Sequence, residues 1–232
     1  MEISVIIPVL NEAERLATLL PELRKRSETG AVSEIIIVDG GSGDGSPEVA
    51  AGNGARVLNS PKGRARQLNE GARSARGEIF YFLHADSLPP AGFDRWILHA
   101  MEGGPQAGCF RLRFDPPHWF LNAFAWCTRF NHPICRGGDQ SLFVPRSWFE
   151  EAGGFDEAFQ IYEDNEFTGR LFSEYSFRVM PAYVTTSSRR YENVGMFRLQ
   201  YHYFIIHLKR ILDAPPEALY AYYKKNIGNE SS

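Results

Sequence analysis

Three short stretches of the chain put acids where they could act on a ligand. The first is His84-Ala85-Asp86, which ends the apolar run EIFYFL. In an extended segment residues i and i+2 point to the same side, so imidazole and carboxylate would converge. Such a pair can hold a divalent cation. The carboxylate suits Mg²⁺ or Mn²⁺, and imidazole is tolerated better by Mn²⁺. Two protein ligands make a thin coordination set, completed if a ligand's phosphates add oxygens. The plain alternative is that Asp86 caps the turn before Pro89-Pro90 and His84 is a hydrogen-bonded core histidine.

The second stretch is IYEDNEF, 161–167, where Glu163 and Asp164 open a helical pattern. Acids there are stabilised by the helix dipole. They are either a simple cap or a carboxylate base ready to take a proton from a hydroxyl. The third is the loop DGGSGDGS, 39–46. Bare backbone N–H groups in such loops can cradle phosphate. The dinucleotide fingerprint fails, because Gly41 and Gly43 would need glycine where Ser46 stands, and no G-K-[ST] P-loop occurs. A tight turn with left-handed glycines explains the composition equally well. Asp39 either caps that turn or accepts from a base N–H or a ribose hydroxyl.

The elements that must position these residues alternate. ISVIIPVL (3–10), EIIIVD (34–39), ARVLN (55–59) and EIFYFLHA (78–85) are strands by their apolar, β-branched runs. Asn11 with Glu14 forms a capping-box pattern before a helix whose face is Leu16, Leu19, Leu20 and Leu23. Pro21 predicts a kink or early break in it. RARQLNEGARSA (64–75) is a second helix. Strand–helix alternation with near-continuous apolar strands predicts an α/β fold, a mostly parallel sheet with helices on both faces. Ligands of such sheets sit beyond the carboxyl ends of the strands, where 8–12, 39–46 and 84–87 fall.

Beyond residue 105 the pattern is mixed α+β, packed on the first part. AGCFRLRF (107–114) alternates like a half-exposed strand. QSLFVP (140–145) and FRVMPAYVTT (177–186) are strands; 116–133 is helical in its middle, and EDNEFTGRLFSEY (163–175) is a helix. Most of Phe120, Phe124 and Phe130 are expected in the core. Helical stretches at 196–213 and 216–225 close the chain. The divisions are 1–105 and 106–190, two halves of the same domain, and 191–232, a helical appendage. The helix 196–212 either lies on a membrane surface or packs in a dimer or domain interface.

The 232 residues are 44% hydrophobic and 23% charged, enough for a sizeable core. The net charge of −3 gives no support to nucleic-acid binding. Cys109, Cys127 and Cys135 form no CxxC pair and suit a reducing compartment. No apolar run reaches the ~20 residues of a membrane span. The expectation is a cytoplasmic protein, with contact at the inner membrane face if the last helices bind lipid.

In order along the chain, IIPVLNE, VDGGSGDGS, LHADS, GGDQSLFVPRSWFEEAGGFDE and YEDNEFTGRL resemble the family 2 glycosyltransferases of GT-A fold. The resemblance covers about residues 3–185 and implies that 1–105 is the nucleotide-sugar-binding half and 106–190 the acceptor and catalytic half. It implies an inverting hexosyltransferase using a UDP- or GDP-type sugar with Mn²⁺ or Mg²⁺ and an acceptor of unknown identity. Pro8, Asn11 and Glu12 then match the first nucleotide-contacting loop. Asp39 matches the acid that reads the base, with Ser42 its loop partner. Lys62, Gly63 and Arg66 match the segment beside the nucleotide. Asp86 matches the last acid of the D-x-D metal motif, and Asp164 the catalytic base with Glu163 beside it.

His84 stands where the first aspartate of that motif usually stands, so it is assigned to both metal and nucleotide sugar. VDGG replaces the more usual VDDG. The His-Ala-Asp form together with Gly138-Asp139-Gln140 resembles a small bacterial subgroup. Gly138, Asp139, Arg136 and Trp119 fall in the part that should face the acceptor, where aromatic rings stack on sugars and arginines grip phosphates. Two other classes stay open. A nucleotidylyltransferase of similar fold would want a G-x-G-x-R loop where PVLNE stands. A nucleotide-sugar-binding protein would keep Asp39 without needing Asp164.

Overall fold

Strand β1 (Ile3–Val9) is buried along its whole length and is the axis of the molecule. The computed structural model describes residues 1–228; the last four residues of the expected appendage lie outside them. Helix α1 (Ala13–Arg26) leads to β2 (Val32–Asp39), α2 (Ser46–Gly52), β3 (Arg56–Asn59), α3 (Arg64–Ser74) and β4 (Ile79–Phe82). A two-residue strand β5 (Ser87–Leu88), α4 (Phe93–Met101), β6 (Ala107–Asp115), α5 (Trp119–Cys127), β7 (Leu142–Pro145) and α6 (Arg146–Glu151) follow. The chain ends with α7 (Glu163–Glu174), β8 (Phe177–Ser187), α8 (Arg189–Val194), α9 (Met196–Ile211) and α10 (Pro216–Asn226).

All eight strands join one sheet, in the order β3-β2-β1-β4-β7-β6-β8-β5. The first four are parallel. β7 runs antiparallel to β4 and β6, and β6 pairs parallel with β8. The strands past residue 105 therefore extend the first sheet and do not form a region packed on it. Alternation along the strands sorts the core. Ile3, Val5, Ile7 and Val9 face α1 and α4, while Ile6, Ile36 and Val38 face α3, α6 and α7. A third cluster joins Phe114 and Phe159 to α5, α8, α9 and α10.

Several local expectations are overturned. α1 runs unbroken past Pro21. A helix-interior proline costs about 3 kcal/mol, and the four leucines buried on the opposite side offset it at about 1.5–3 kcal/mol each. The capping box does not form: Asn11 takes a left-handed φ of 55° and spends its side chain on the β2 loop. β4 stops at Phe82, so residues 84–86 leave the strand. β6 is buried over its first four residues because β7 and β8 flank it. Phe124 and Phe130 are 43% and 48% exposed, not core.

Helix α4, unforeseen in the sequence, is held by Asp94 in its first turn. Buried Asp94 accepts from the Ser27 and Thr29 hydroxyls and from the backbone N–H groups of Glu28 and Thr29. Burial works to raise its pKa, and these hydrogen bonds outweigh it and hold the carboxyl below the ordinary range. Asp94→Ala should cost about 1–3 kcal/mol, because the part-buried N–H groups of Glu28 and Thr29 lose a charged partner. A carboxyl with a depressed folded-state pKa stabilises above its unfolded value of about 3.9 and loses that stabilisation as pH falls through the folded value. Urea unfolding at neutral and at acid pH should show the gap between wild type and Asp94→Ala closing only on acidification. A gap independent of pH would refute the assignment.

Candidate active site

The strand ends β1, β2 and β4 lie side by side, β1 between the other two. At about 4.8 Å per strand, Asp39 after β2 and His84 after β4 stand roughly 10 Å apart across the sheet. The first two loops are tied into one rim. Asn11 N–H donates to Ser42 Oγ (2.8 Å), Gly43 N–H donates to Asn11 Oδ1 (2.9 Å), and Glu12 N–H donates to Ser46 Oγ (2.9 Å). Asp39 Oδ2 accepts from the N–H groups of Gly41 and Ser42 at 2.9 and 3.0 Å. Gly41 has a φ of 95°, which a side chain would strain. The other carboxylate oxygen, Asp39 Oδ1, is buried with no partner among the described residues. A bare buried carboxylate oxygen is costly unless a ligand donor completes it.

Helix α3 carries the opposing wall. It packs against the sheet through Gly71, where a Cβ would lie 2.4 Å from Ile6. Gln67 pins it to the strand ends by donating to the Val9 and Val38 carbonyls. Arg64, its first residue, follows Gly63, whose φ is 141°. The Arg64 guanidinium reaches α7, with Nε 2.5 Å from Glu163 Oε1 and Nη2 2.9 Å from Asp164 Oδ2. His84 Nε2 is 3.7 Å from the same Asp164 oxygen. A small cavity beside them is lined by Pro8, His84, Gly137 and Asp164, among others. A larger open hollow of about 760 Å³ lies elsewhere, lined in part by Asn69, Arg73, Phe149 and Arg170.

Burial pushes the Asp164 carboxyl above its usual range, with Arg64 working against that. Glu163 is raised by burial, opposed by Arg64 and reinforced by Asp164. Burial disfavours the Arg64 charge, but Glu163 and Asp164 overcome it and hold the guanidinium charged. His84 is lowered by burial and then by Arg64, against the pull of Asp139, Asp86 and Glu163, so the ring is held neutral. Asp139 is raised by burial and by the charge of Asp86, opposed by His84, Arg64 and Arg190. Glu12 is raised by burial, eased by Arg15 and raised further by Asp86. The charge of Asp86 is felt by Glu12, His84 and Asp139, and His84 in turn lies against Asp164.

The His84–Asp86 pair does not come from an extended strand. Ser87 N–H donates to the His84 carbonyl at 3.1 Å, closing a turn over these residues. Asp86 is exposed, and among the described residues no cation lies within ion-pair distance of it. Uncompensated, it raises two neighbouring acids, which is an environment a divalent cation would relieve. No group of three His, Cys, Asp or Glu side chains is assembled to hold a metal among the described residues. A cation bound at Asp86 would need most of its oxygens from a ligand or water.

Four expected residues make no hydrogen bond or ion pair to this centre among the described residues. Arg136 is buried, and it donates to the Thr128 and Phe130 carbonyls at 2.7 and 2.5 Å and to Cys109 Sγ at 2.9 Å. It is a strut under the loop, its donors spent on these protein groups. Trp119 is 70% exposed, on the outer surface against Phe197. Lys62 is exposed, and Arg66 pairs with Glu157 at 3.6 Å. Gly138 and Asp139 lie in one 3₁₀ turn held by Gln140, which accepts from the Gly137 N–H. Sequence reasoning missed Arg64. Its signal was a cation at the positive end of a helix, a local cost that calls for a reason elsewhere.

A family model for glycosyl transferase family 2 matches residues 4–148. The undecaprenyl-phosphate 4-deoxy-4-formamido-L-arabinose transferase of Aeromonas hydrophila subsp. hydrophila is 33% identical over 128 residues, 51% of this chain and 39% of that protein. The chain thus matches well under half the length of this relative. The mannosyltransferase PcManGT from Pyrobaculum calidifontis, solved with GDP-Man and Mn²⁺, superposes with a TM-score of 0.71. It is 21% identical, over 99% of this chain and 69% of that one. S. aureus TarS 1-349, solved with UDP, has a TM-score of 0.65 at 17% identity, over 81% of this chain and 60% of that one.

Proposed function

The chain belongs to glycosyl transferase family 2 and has the GT-A fold, and from that premise we propose that it moves a sugar from a nucleotide-diphosphate sugar to an acceptor hydroxyl with inversion. The observation that carries this is the pairing of Asp164 with Arg64 and His84 at the strand ends, beside exposed Asp86. The donor is of the UDP or GDP type, as in the complexes of the solved neighbours.

Asp39 Oδ1, buried and unpartnered, is the acceptor for a base N–H. Arg64 is 42% exposed and can turn toward the donor diphosphate while still anchored beside Glu163. That move releases Asp164, whose raised proton affinity suits a base. Asp164 takes the proton of the acceptor hydroxyl as its oxygen bonds to the anomeric carbon. The bond to the diphosphate breaks on the opposite face, and its electron pair leaves with the diphosphate. Glu163 is fully buried and its carboxylate reaches Arg64, so it orients the guanidinium and does not contact the acceptor.

Asp86, with His84, would hold Mn²⁺ or Mg²⁺, which supplies charge neutralisation for the leaving diphosphate. Asp86→Ala should then abolish the Mn²⁺-dependent part of UDP binding. A ligand at a hundred times its dissociation constant adds about 2.7 kcal/mol of stability. Thermal shifts with UDP, with and without Mn²⁺, should differ in the wild type and coincide in Asp86→Ala. A variant that keeps the Mn²⁺ response rules out the assignment.

Incubation with UDP- and GDP-sugars and Mn²⁺ tests the reaction itself. Slow metal-dependent release of nucleoside diphosphate is expected. Pyrophosphate production would replace the reading with a nucleotidylyltransferase, and binding without release with a nucleotide-sugar-binding protein.

A further inference from the structure

The outer face of α9 is apolar from end to end. Phe197, Tyr201, Phe204, Leu208 and Ile211 recur at three- and four-residue steps and are each 40–62% exposed. Its inner face, by contrast, buries Leu199 and Ile206. The apolar surface does not stop at α9. Phe197 meets Phe120 of α5 at 4.3 Å between ring centroids, and Trp119 and Phe124 carry the exposed surface across α5. An exposed apolar patch of this continuity marks an interaction surface.

Charge decides what covers it. The chain as a whole is net negative, at −3, yet neither α5 nor α9 contains an aspartate or glutamate. The charged side chains of α9 are all basic, Arg198, Lys209 and Arg210, and Arg129 follows α5; Lys209 lies over the Tyr222 ring at 5.3 Å, and Arg129 over Trp126 at 4.5 Å. The acid that follows α9, Asp213, is held by Arg210 at 3.6 Å. A second copy meeting this face across a two-fold would set the cations of α9 against each other with no acid on either helix to answer them. Anionic headgroups would compensate the cations while acyl chains take the rings, and Trp and Tyr are suited to that boundary. No helix among the described residues is long and apolar enough to cross a membrane, so contact through these helices is interfacial.

We infer that the acid-free apolar face shared by α5 and α9 docks on an anionic lipid bilayer. The docked orientation has a consequence for the cleft. Tyr162, next to Glu163, has its hydroxyl 2.5 Å from Nδ1 of His207 on α9. The N-terminus of α7 therefore stands about one helix diameter, roughly 10 Å, from the lipid-facing side.

The test is flotation of the full chain with two sets of vesicles, phosphatidylcholine alone and phosphatidylcholine mixed with phosphatidylglycerol, without donor or acceptor. Binding should be strong only to the mixed vesicles and should weaken with salt, at about fivefold per basic residue engaged. Phe204→Ser with Leu208→Ser on α9, and separately Trp119→Ser on α5, should each lower binding about tenfold or more. These side chains are exposed, so unchanged thermal unfolding checks that the variants fold. Retained flotation in both variants, or none with the wild type, overturns the inference. So does a wild type that sediments as a dimer, ignores vesicles and becomes monomeric on Phe204→Ser with Leu208→Ser. Because neither donor nor turnover enters the measurement, this outcome is separate from that of the transfer reaction.

Discussion

Asp164→Asn should lower turnover by about 10²–10⁴-fold, the usual worth of a positioned general base, and leave binding of the nucleotide sugar intact. The substitution keeps the shape of the side chain and its contact with Arg64 through the amide oxygen. It removes the negative charge and with it the affinity for a proton. Asp164 is chosen over Glu163 on access. The Asp164 side chain is 17% exposed and the Glu163 side chain fully buried, so only Asp164 can meet an acceptor. Steady-state kcat and calorimetric donor affinity, measured on the same preparation, test the claim. Undiminished kcat refutes it. A matching loss of donor binding would show instead that Asp164 shapes the donor site.

Arg64→Ala should weaken donor binding and turnover together, and should also destabilise the fold. Its guanidinium spans Glu163 and Asp164, and removal leaves two carboxylates crowded without a cation. Breaking a buried pair costs about 3–5 kcal/mol. With Arg64 partly exposed, solvent screening reduces the expectation to about 1–3 kcal/mol. Arg64→Lys should recover part of the stability and little of the donor affinity, because an ammonium cannot bridge two groups as a planar fork does. Combining Arg64→Ala with Glu163→Gln should return most of the lost stability, since the neutral amide no longer needs a counter-charge. If the double variant is less stable than Arg64→Ala alone, the pairing is not the source of the cost. If donor affinity is unchanged in Arg64→Ala, the guanidinium does not serve the diphosphate.

The candidate acids were legible because their signals are local. Asp39 ends a β-branched run and enters glycines; Asp86 follows the apolar run EIFYFL; Asp164 opens an amphipathic helix. Loop chemistry placed at the carboxyl ends of parallel strands needs no knowledge of distant contacts. His84 shows the limit of local geometry. The i, i+2 rule assumes an extended backbone, and β4 ends before it reaches the pair. Asn11 likewise had the right neighbours for a cap, but the β2 loop offered its side chain a better partner.

What the amino-acid order by itself determined is the alternation of strands and helices, the polar loops at their ends and the acids those loops carry. Periodicity and turn chemistry act over a few residues, so they are written in a few residues. Tertiary structure alone decided that Arg64 would bridge Glu163 and Asp164 from about a hundred positions away. It also decided that Arg136 would turn inward to hold a loop, and that the rings of α5 and α9 would face outward. An apolar stripe states only that a side chain is better off covered. Whether it is covered depends on which other element arrives, and that is settled by the packing of the whole sheet and its helices.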